Sequence, residues 1–167
     1  MKHHRIAIYG KSGAGKSTVA QYLSSKYRYK HCTAGKLCRS LCLELFGTEE
    51  RAVLNAFNDA VRSIDSMVWI RTALKIASPV DRIVFDSMRF KEDVEYFRAN
   101  DFKLWRIDCD DGIRFARLKA RGQVFTPTDN IHPGEISLDD SSFDILISNQ
   151  STDTGDLFAQ VDFALQR

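Results

Sequence analysis

The sequence predicts an α/β chain in which a parallel sheet of about five strands is covered by helices on both faces, in three layers. Two observations predict it. Short β-rich apolar runs alternate with segments whose apolar residues recur at helical spacing. The first such run is followed at once by Gly10-Lys11-Ser12-Gly13-Ala14-Gly15-Lys16-Ser17-Thr18, which fits G-x-x-x-x-G-K-[ST] at every fixed position and opens a helix-patterned segment. No internal repeat or low-complexity segment interrupts the alternation.

The elements follow in order. Arg5–Tyr9 is the first strand and Lys16–Tyr27 the first helix. A short second strand covers Tyr29–Thr33, and helical patterns fill Lys36–Phe46 and Glu49–Ala77, broken near Ser63–Ser66 and closed by Pro79. Asp81–Asp86 reads as a buried strand ending in an acid, Lys91–Asn100 as a helix and Lys103–Cys109 as a strand. Asp110 caps a helix running to about Arg121. The polar stretch holding Thr126, Pro127, His132, Pro133 and Gly134 reads as a long loop, Phe143–Ser148 as the last strand and Asp153–Leu165 as the last helix. The 167 residues suit one domain with one sizeable core.

The glycine motif carries the chemistry. Gly10, Gly13 and Gly15 allow backbone angles closed to other residues and remove side-chain bulk, so that loop N–H groups can converge on a phosphate. The helix that follows points its positive end at the same place. In this pattern Lys16 reaches the β- and γ-phosphates of a nucleoside triphosphate, and the Ser17 hydroxyl holds Mg²⁺. The expected cofactors are therefore ATP and Mg²⁺.

Composition bounds the rest. Hydrophobic residues make up 44% and charged residues 28%, a globular balance. No apolar run is long enough to span a membrane, and Met1–Arg5 leads into a strand without the pattern of a signal peptide. A net charge of +2 gives no support for nonspecific nucleic-acid binding. Cys32, Cys38, Cys42 and Cys109 form no C-x-x-C pair, so they read as structural thiols of a reducing cytoplasm, with Cys38 and Cys42 on one helix face.

Other residues narrow the class. Asp86 ends a hydrophobic strand, where an acid can organise Mg²⁺ or face an acceptor; a cap or loop acid is the alternative. Arg89 leaves the same edge. Arg114, Arg117 and Arg121 stand three and four residues apart, on one helix face, where guanidinium groups can clamp a moving phosphoryl group or form a solvated basic face. Arg121 precedes Gly122 and the polar stretch, so it could move with a lid over about 114–141. Trp69, Arg62 and Arg71 lie in the helical region 36–78, the expected acceptor side. There the arginines either hold an acceptor phosphate or are surface charges, and Trp69 is either core or a stacking platform.

The chain resembles the P-loop nucleoside and nucleotide kinases of the adenylate kinase-like group, most nearly the deoxynucleoside monophosphate kinases of phage and bacterial type, with dephospho-coenzyme A kinases more distant. The resemblance rests on Ile6–Thr18, on Val84–Phe90 with Glu92 and Glu95, on Ile113–Arg121 and on Phe143–Asn149. It implies a P-loop NTPase fold with strand order 2-3-1-4-5. It also implies a donor site on Gly13, Ala14, Gly15, Lys16, Ser17 and Thr18 with Arg114 and Asn149 beside it. An acceptor is then lined by Asp86–Arg89, and Arg114, Arg117 and Arg121 are implied as lid arginines, with Arg117 and Arg121 assisting transfer. The sequence departs from the pattern in having no large zinc-type lid insertion, and in Gly134, which stands where a serine commonly precedes the glutamate, here Glu135. Glu135 and Asp139 read as a solvated loop or as lid-closing acids.

A regulatory GTPase would need D-x-x-G and N-K-x-D, and Asp86-Ser87-Met88-Arg89 and Asn149-Gln150-Ser151-Thr152 supply neither. The expectation is an ATP-dependent kinase of a small nucleotide acceptor, monomeric or homodimeric. Dephospho-coenzyme A, a nucleoside-type metabolite, a modified base in DNA, or a non-catalytic ATP-binding regulator stand as alternatives.

Overall fold

β1 (Arg5–Tyr9) is the middle of the sheet because it is apolar on both faces. Ile6, Ala7 and Ile8 have no exposed surface, which only a strand covered by helices above and below can achieve. The computed structural model describes residues 4–167. In it β2 (Lys30–Cys32), β3 (Ile83–Phe85), β4 (Lys103–Asp108) and β5 (Ile145–Ser148) join β1 in one all-parallel sheet of order β2-β3-β1-β4-β5. The expected strand order is the observed one.

Alternation along β1 splits the core in two. Ile6 and Ile8 face Val19 and Leu23 of α1 (Lys16–Tyr27) and Leu157 and Val161 of α9 (Thr154–Ala164). Ala7 and Tyr9 face Ile70 and Ala73 of α4 (Val68–Ala77) and Phe97 of α5 (Lys91–Ala99). At the far end of α1, the Tyr22 and Tyr27 hydroxyls and the Lys26 ammonium all donate to the Asp162 carboxylate of α9.

α2 (Ala34–Phe46) buries Cys38 and Cys42, one turn apart. α3 (Arg51–Ile64) buries no residue fully and stands over the sheet's carboxyl edge. The break between α3 and α4 falls at Asp65, as the sequence pattern predicts. α6 (Asp111–Ala120) starts after Asp110 and ends at Arg121. The polar stretch that reads as loop contains two single turns, α7 (Pro127–Asn130) and α8 (Pro133–Ile136). The first is set by a capping box: Thr126 Oγ1 accepts from the Asp129 N–H, and the Asp129 carboxylate accepts from the Thr126 N–H. The carboxyl ends of β1, β3 and β4 bring Gly10, Asp86 and Cys109 to one edge, where ligands of open parallel sheets bind.

Candidate active site

The loop between β1 and α1 is built for close approach. Gly13 has φ +83°, and a Cβ there would lie 2.8 Å from the Arg114 carbonyl oxygen, so only glycine fits both the angle and the space. Lys16 folds back into the loop, donating to the carbonyls of Gly10 at 2.5 Å and Lys11 at 3.1 Å. Burial, reinforced by the nearby Arg89 charge, lowers its pKa to about 7. Such a cation is stabilised by an incoming polyanion.

Ser17 Oγ donates to Asp86 Oδ2 at 2.7 Å. Asp86 is buried at the end of β3, with His31 Nε2 of β2 lying 2.9 Å from the same oxygen in an ion-pair contact rather than an aligned hydrogen bond. Burial alone would raise this carboxyl, but His31 and the Ser17 and Thr33 hydroxyls outweigh it and hold the pKa at about 2. The Ser87 hydroxyl donates to Asp86 Oδ1 at 3.0 Å. One hydroxyl and one ionised carboxylate fit a Mg²⁺ ion that keeps most of its water and arrives with phosphates. No cluster of three or more His, Cys, Asp or Glu able to hold a metal by itself occurs among the described residues.

Arg114, Arg117 and Arg121 do not meet at one point: Arg117 and Arg121 border one groove, and Arg114 lies apart from it. Arg114 lies buried beneath the loop, its guanidinium donating to the Ser12 carbonyl at 2.7 Å, to Asp111 at 2.5 Å and to Asn130 at 2.7 Å. Arg117 holds the segment after β5, donating to the Ser151 carbonyl at 2.7 Å and to Asn149. Arg121 is exposed at the end of α6 and lines, with Gly15, Thr18, Arg117, Asn149 and Thr154, a groove outside the loop. Asn149 Nδ2 donates to the Ala14 carbonyl at 2.7 Å and so braces the loop from that side.

On the other side of the loop lies a cleft of about 910 Å³, open mouth included, between α2, α3 and the segment after β3. Arg62, Trp69 and Arg89 line it. Arg62 lies over the Phe90 ring at 4.0 Å and pairs with Asp93 at 3.3 Å. Asp93 in turn accepts the N–H groups of Arg89 at 2.9 Å and Phe90 at 3.0 Å, fixing the turn that presents Arg89. Trp69 is buried, edge-on to Phe57. Arg71 is exposed and paired with Asp65, and it does not line this cleft. Two residues along a helix turn a side chain by about 200°, so Trp69 and Arg71 cannot serve one pocket.

The sequence pattern leaves the cleft's most connected group, Glu135, between a solvated loop and a lid-closing acid, and gives no sign of its partner Arg51. Glu135 is 2% exposed, not part of a solvated loop. Its Oε2 accepts the Ser12 N–H at 2.6 Å, and its Oε1 accepts the Ser12 hydroxyl at 2.7 Å, Arg51 at 3.3 Å and a closer Arg89. Burial would raise its pKa, but Arg89, Lys16 and Ser12 bring it down to about 2. Asp139 is also engaged, accepting from the Tyr9 hydroxyl at 2.7 Å and pairing with Lys11 at 2.9 Å. Burial and this Asp139 contact push the Tyr9 hydroxyl well above its ordinary range. No local signal marks Arg51 or Glu135: their partners lie far away in sequence.

Sheet order, phosphate loop and the acid at the end of β3 together define a member of the P-loop nucleotide kinase superfamily. The AAA_18 family, described as an AAA domain, matches residues 6–128, and the chain belongs to that family. An adenylate kinase of Mycoplasmopsis pulmonis (strain UAB CTIP) is 22% identical over 124 residues, covering 70% of this chain and 58% of the relative. A cytidylate kinase of Onion yellows phytoplasma (strain OY-M) is 43% identical over 49 residues, 29% of this chain and 22% of the relative. The chain thus spans 58% or less of the length of these curated relatives. Among solved structures, a shikimate kinase from Aquifex aeolicus superposes with TM-score 0.63 at 16% identity over 97% of this chain and 96% of the other. A gluconokinase from Sinorhizobium meliloti 1021 gives 0.59 at 14%, over 98% and 91%. At such identities the likeness is one of fold. Among the described residues no helix is long and apolar enough to cross a membrane.

Proposed function

We propose that the protein is an ATP-dependent phosphotransferase that passes the γ-phosphoryl group to a small nucleotide acceptor, a nucleoside or deoxynucleoside monophosphate. The observation that carries this reading is Lys16: a buried ammonium, flanked by loop carbonyls and destabilised by burial, at the mouth of a glycine loop. It lies between a donor-side groove at Asn149 and an arginine-lined cleft.

In this reading Gly13 to Thr18 bind the donor phosphates through main-chain N–H groups, and Lys16 follows the charge as it shifts from the γ- to the β-phosphate. Ser17 and Asp86 hold Mg²⁺, which when bound neutralises phosphate charge. Arg114 and Asn149 keep the loop in shape, Arg117 borders the donor through the segment after β5, and Arg121 stands at the root of the lid. Helices α2 to α4 form the acceptor side, where Arg89 and Arg62 orient the acceptor and Trp69 backs its wall. The segment 122–141 serves as the lid that excludes water. A monophosphate oxygen is already anionic, so positioning and charge neutralisation do most of the work. Four free thiols support a reducing compartment, the cytoplasm, as the setting for this activity.

The test is ADP release with MgATP and a panel of ribo- and deoxynucleoside monophosphates, followed by dephospho-coenzyme A, shikimate and gluconate. The expected result is turnover with at least one monophosphate and none with the hydroxyl acceptors. Failure of folded protein to bind MgATP by calorimetry, or turnover confined to a hydroxyl acceptor, overturns the reading.

A further inference from the structure

Glu135 is placed as a ligand would be. It stands where the donor loop meets the acceptor cleft, almost wholly buried, and each of its carboxylate oxygens is held by protein donors. Those donors are a main-chain N–H and a hydroxyl, both from Ser12 of the phosphate loop, and the guanidinium groups of Arg51 and Arg89. Arg51 Nη2 also reaches the Ser12 hydroxyl at 3.4 Å, so the cluster closes on itself. Two guanidinium groups face the Glu135 carboxylate, Arg51 pairing also with Asp129 at 3.3 Å, and the Lys16 ammonium adds a third cation to the neighbourhood.

We propose that Ser12, Arg51 and Arg89 form a binding site for a phosphoryl oxyanion, and that Glu135 fills it as an internal anion that the ligand must displace. The chemistry is that of a doubly charged tetrahedral group. Two guanidiniums with a loop N–H and a hydroxyl between them match a dianion better than a monoanion, and bidentate arginine contacts suit phosphate oxygens. Glu135 and the ligand carry the same sign and compete for the same donors, so they cannot share the site. Occupancy of the site by Glu135 reduces apparent affinity by the fraction of time the site is taken.

Displacement has a mechanical consequence. Glu135 sits on α8, which is otherwise tied to the body by the Tyr9 hydroxyl donating to the Glu135 carbonyl at 2.9 Å and by Arg89 donating to the Gly134 carbonyl at 2.8 Å. An arriving phosphoryl group that draws Arg89 to itself removes the carboxylate contact and loosens the Gly134 contact together. The single turn α8 is thereby loosened, while Leu138, buried in the core, and Asp139, held by Tyr9 and Lys11, keep the chain beyond it in place.

This inference rests on the proposed kinase reading for its ligand, but its test does not. The phosphoryl group could be the donor's γ-phosphate or the acceptor's own, and the probes separate these. Calorimetry would compare wild type with Glu135→Gln, using inorganic phosphate and methyl phosphate on the MgADP-loaded and on the empty protein, and MgADP against a non-hydrolysable MgATP analogue. The expected result is binding at least tenfold tighter in Glu135→Gln for phosphate and methyl phosphate if the acceptor's group is meant, or for the ATP analogue but not ADP if the γ-phosphate is meant. Either gain should vanish when Arg51→Ala and Arg89→Ala are added. Unchanged or weaker binding of all three probes in Glu135→Gln, or a gain that survives loss of both arginines, overturns the proposal. Should Glu135→Gln fail to fold, Glu135→Asp, whose shorter arm withdraws the carboxylate, must show a smaller gain of the same sign; no gain overturns it as well. If MgADP does not bind at all, the kinase reading fails, while the phosphate titration of empty protein still decides this one.

Discussion

The Ser17 hydroxyl donates to Asp86 Oδ2 across 2.7 Å, tying the first turn of α1 to the end of β3. The contact joins two segments far apart in sequence at the position where donor phosphates and acceptor would meet. It also depends on Asp86 being ionised.

Acid should therefore lower the stability of the fold well before it protonates these carboxylates in the folded chain. Asp86 and Glu135 sit at about 2 in the folded chain against ordinary values of 3.8 and 4.5. Both pKa values are depressed, so their stabilisation is present above the ordinary carboxyl range and is lost as pH falls from about 4.5 towards 2. Each contributes roughly 2–3 kcal/mol at neutral pH. Urea unfolding between pH 7 and pH 3 should show the loss, and Asp86→Asn should make the curve shallower. The same variant should lower Mg²⁺-dependent turnover by at least about 100-fold. An unchanged acid profile in Asp86→Asn would show that the carboxylate is not held as described.

Lys16 gives a slope of the same sign in a higher pH window. Its pKa falls from 10.5 unfolded to about 7 folded, chiefly through burial. Above pH 7 the unfolded chain binds more protons at this site than the folded one, so its contribution to stability rises with pH until about 10.5. The window is best read from pH 7 to 8.5, before Cys32, whose thiol is raised to about 11, acts in the other direction. Melting of ligand-free wild type minus Lys16→Met should rise across that window. Lys16→Ala should keep the circular dichroism spectrum and abolish phosphoryl transfer, and full activity in it would refute the role proposed for this residue.

Gly13 and Gly47 both have positive φ, but only Gly13 is crowded: at Gly47 a Cβ meets nothing within 4 Å. Gly47→Ala should cost about 1 kcal/mol, the price of the left-handed angle alone. Gly13→Ala must also push against the Arg114 backbone and should cost roughly 2–3 kcal/mol, with loss of nucleotide binding. Thermal unfolding of the two variants side by side gives the comparison, and equal costs would contradict the packing.

Arg117 and Arg121 should separate in kinetics. Arg117 is fixed to Asn149 and Ser151, whereas Arg121 is exposed. Arg117→Ala should raise the KM for ATP about tenfold, a loss of about 1.4 kcal/mol in binding. Arg121→Ala should leave that KM within about twofold and act, if a lid swings over the phosphates, on kcat. Equal KM changes in both would remove the distinction.

Much of this molecule can be read locally, and some of it cannot. The strand, glycine loop and helix from Arg5 to Tyr27 follow from periodicity and a contiguous motif, and the burial of Cys38 and Cys42 from a spacing of one turn. The single turn at Pro127–Asn130 also had a local signal, threonine-proline with an aspartate at the third helical position, hidden within a polar run. Arg71 was separable from Trp69 by helix angle alone. Glu135 is different. Its donors, Ser12, Arg51 and Arg89, come from three distant segments that meet only once β1 lies beside β3 and α3 has folded over the edge. The same holds for His31 beside Asp86, which depends on β2 pairing with β3.

Asp162 gathers Tyr22, Lys26 and Tyr27 at the tail of α1. The rear of the helix that presents the phosphate loop is thus tied to α9 by one carboxylate, beside the stacked rings of Tyr22 and Phe158. Neutralising that anchor would strip three hydrogen bonds from the tail of the helix while its core residues Val19 and Leu23 stay packed, so any effect on nucleotide grip would reach the front through the helix without altering one atom that a nucleotide touches.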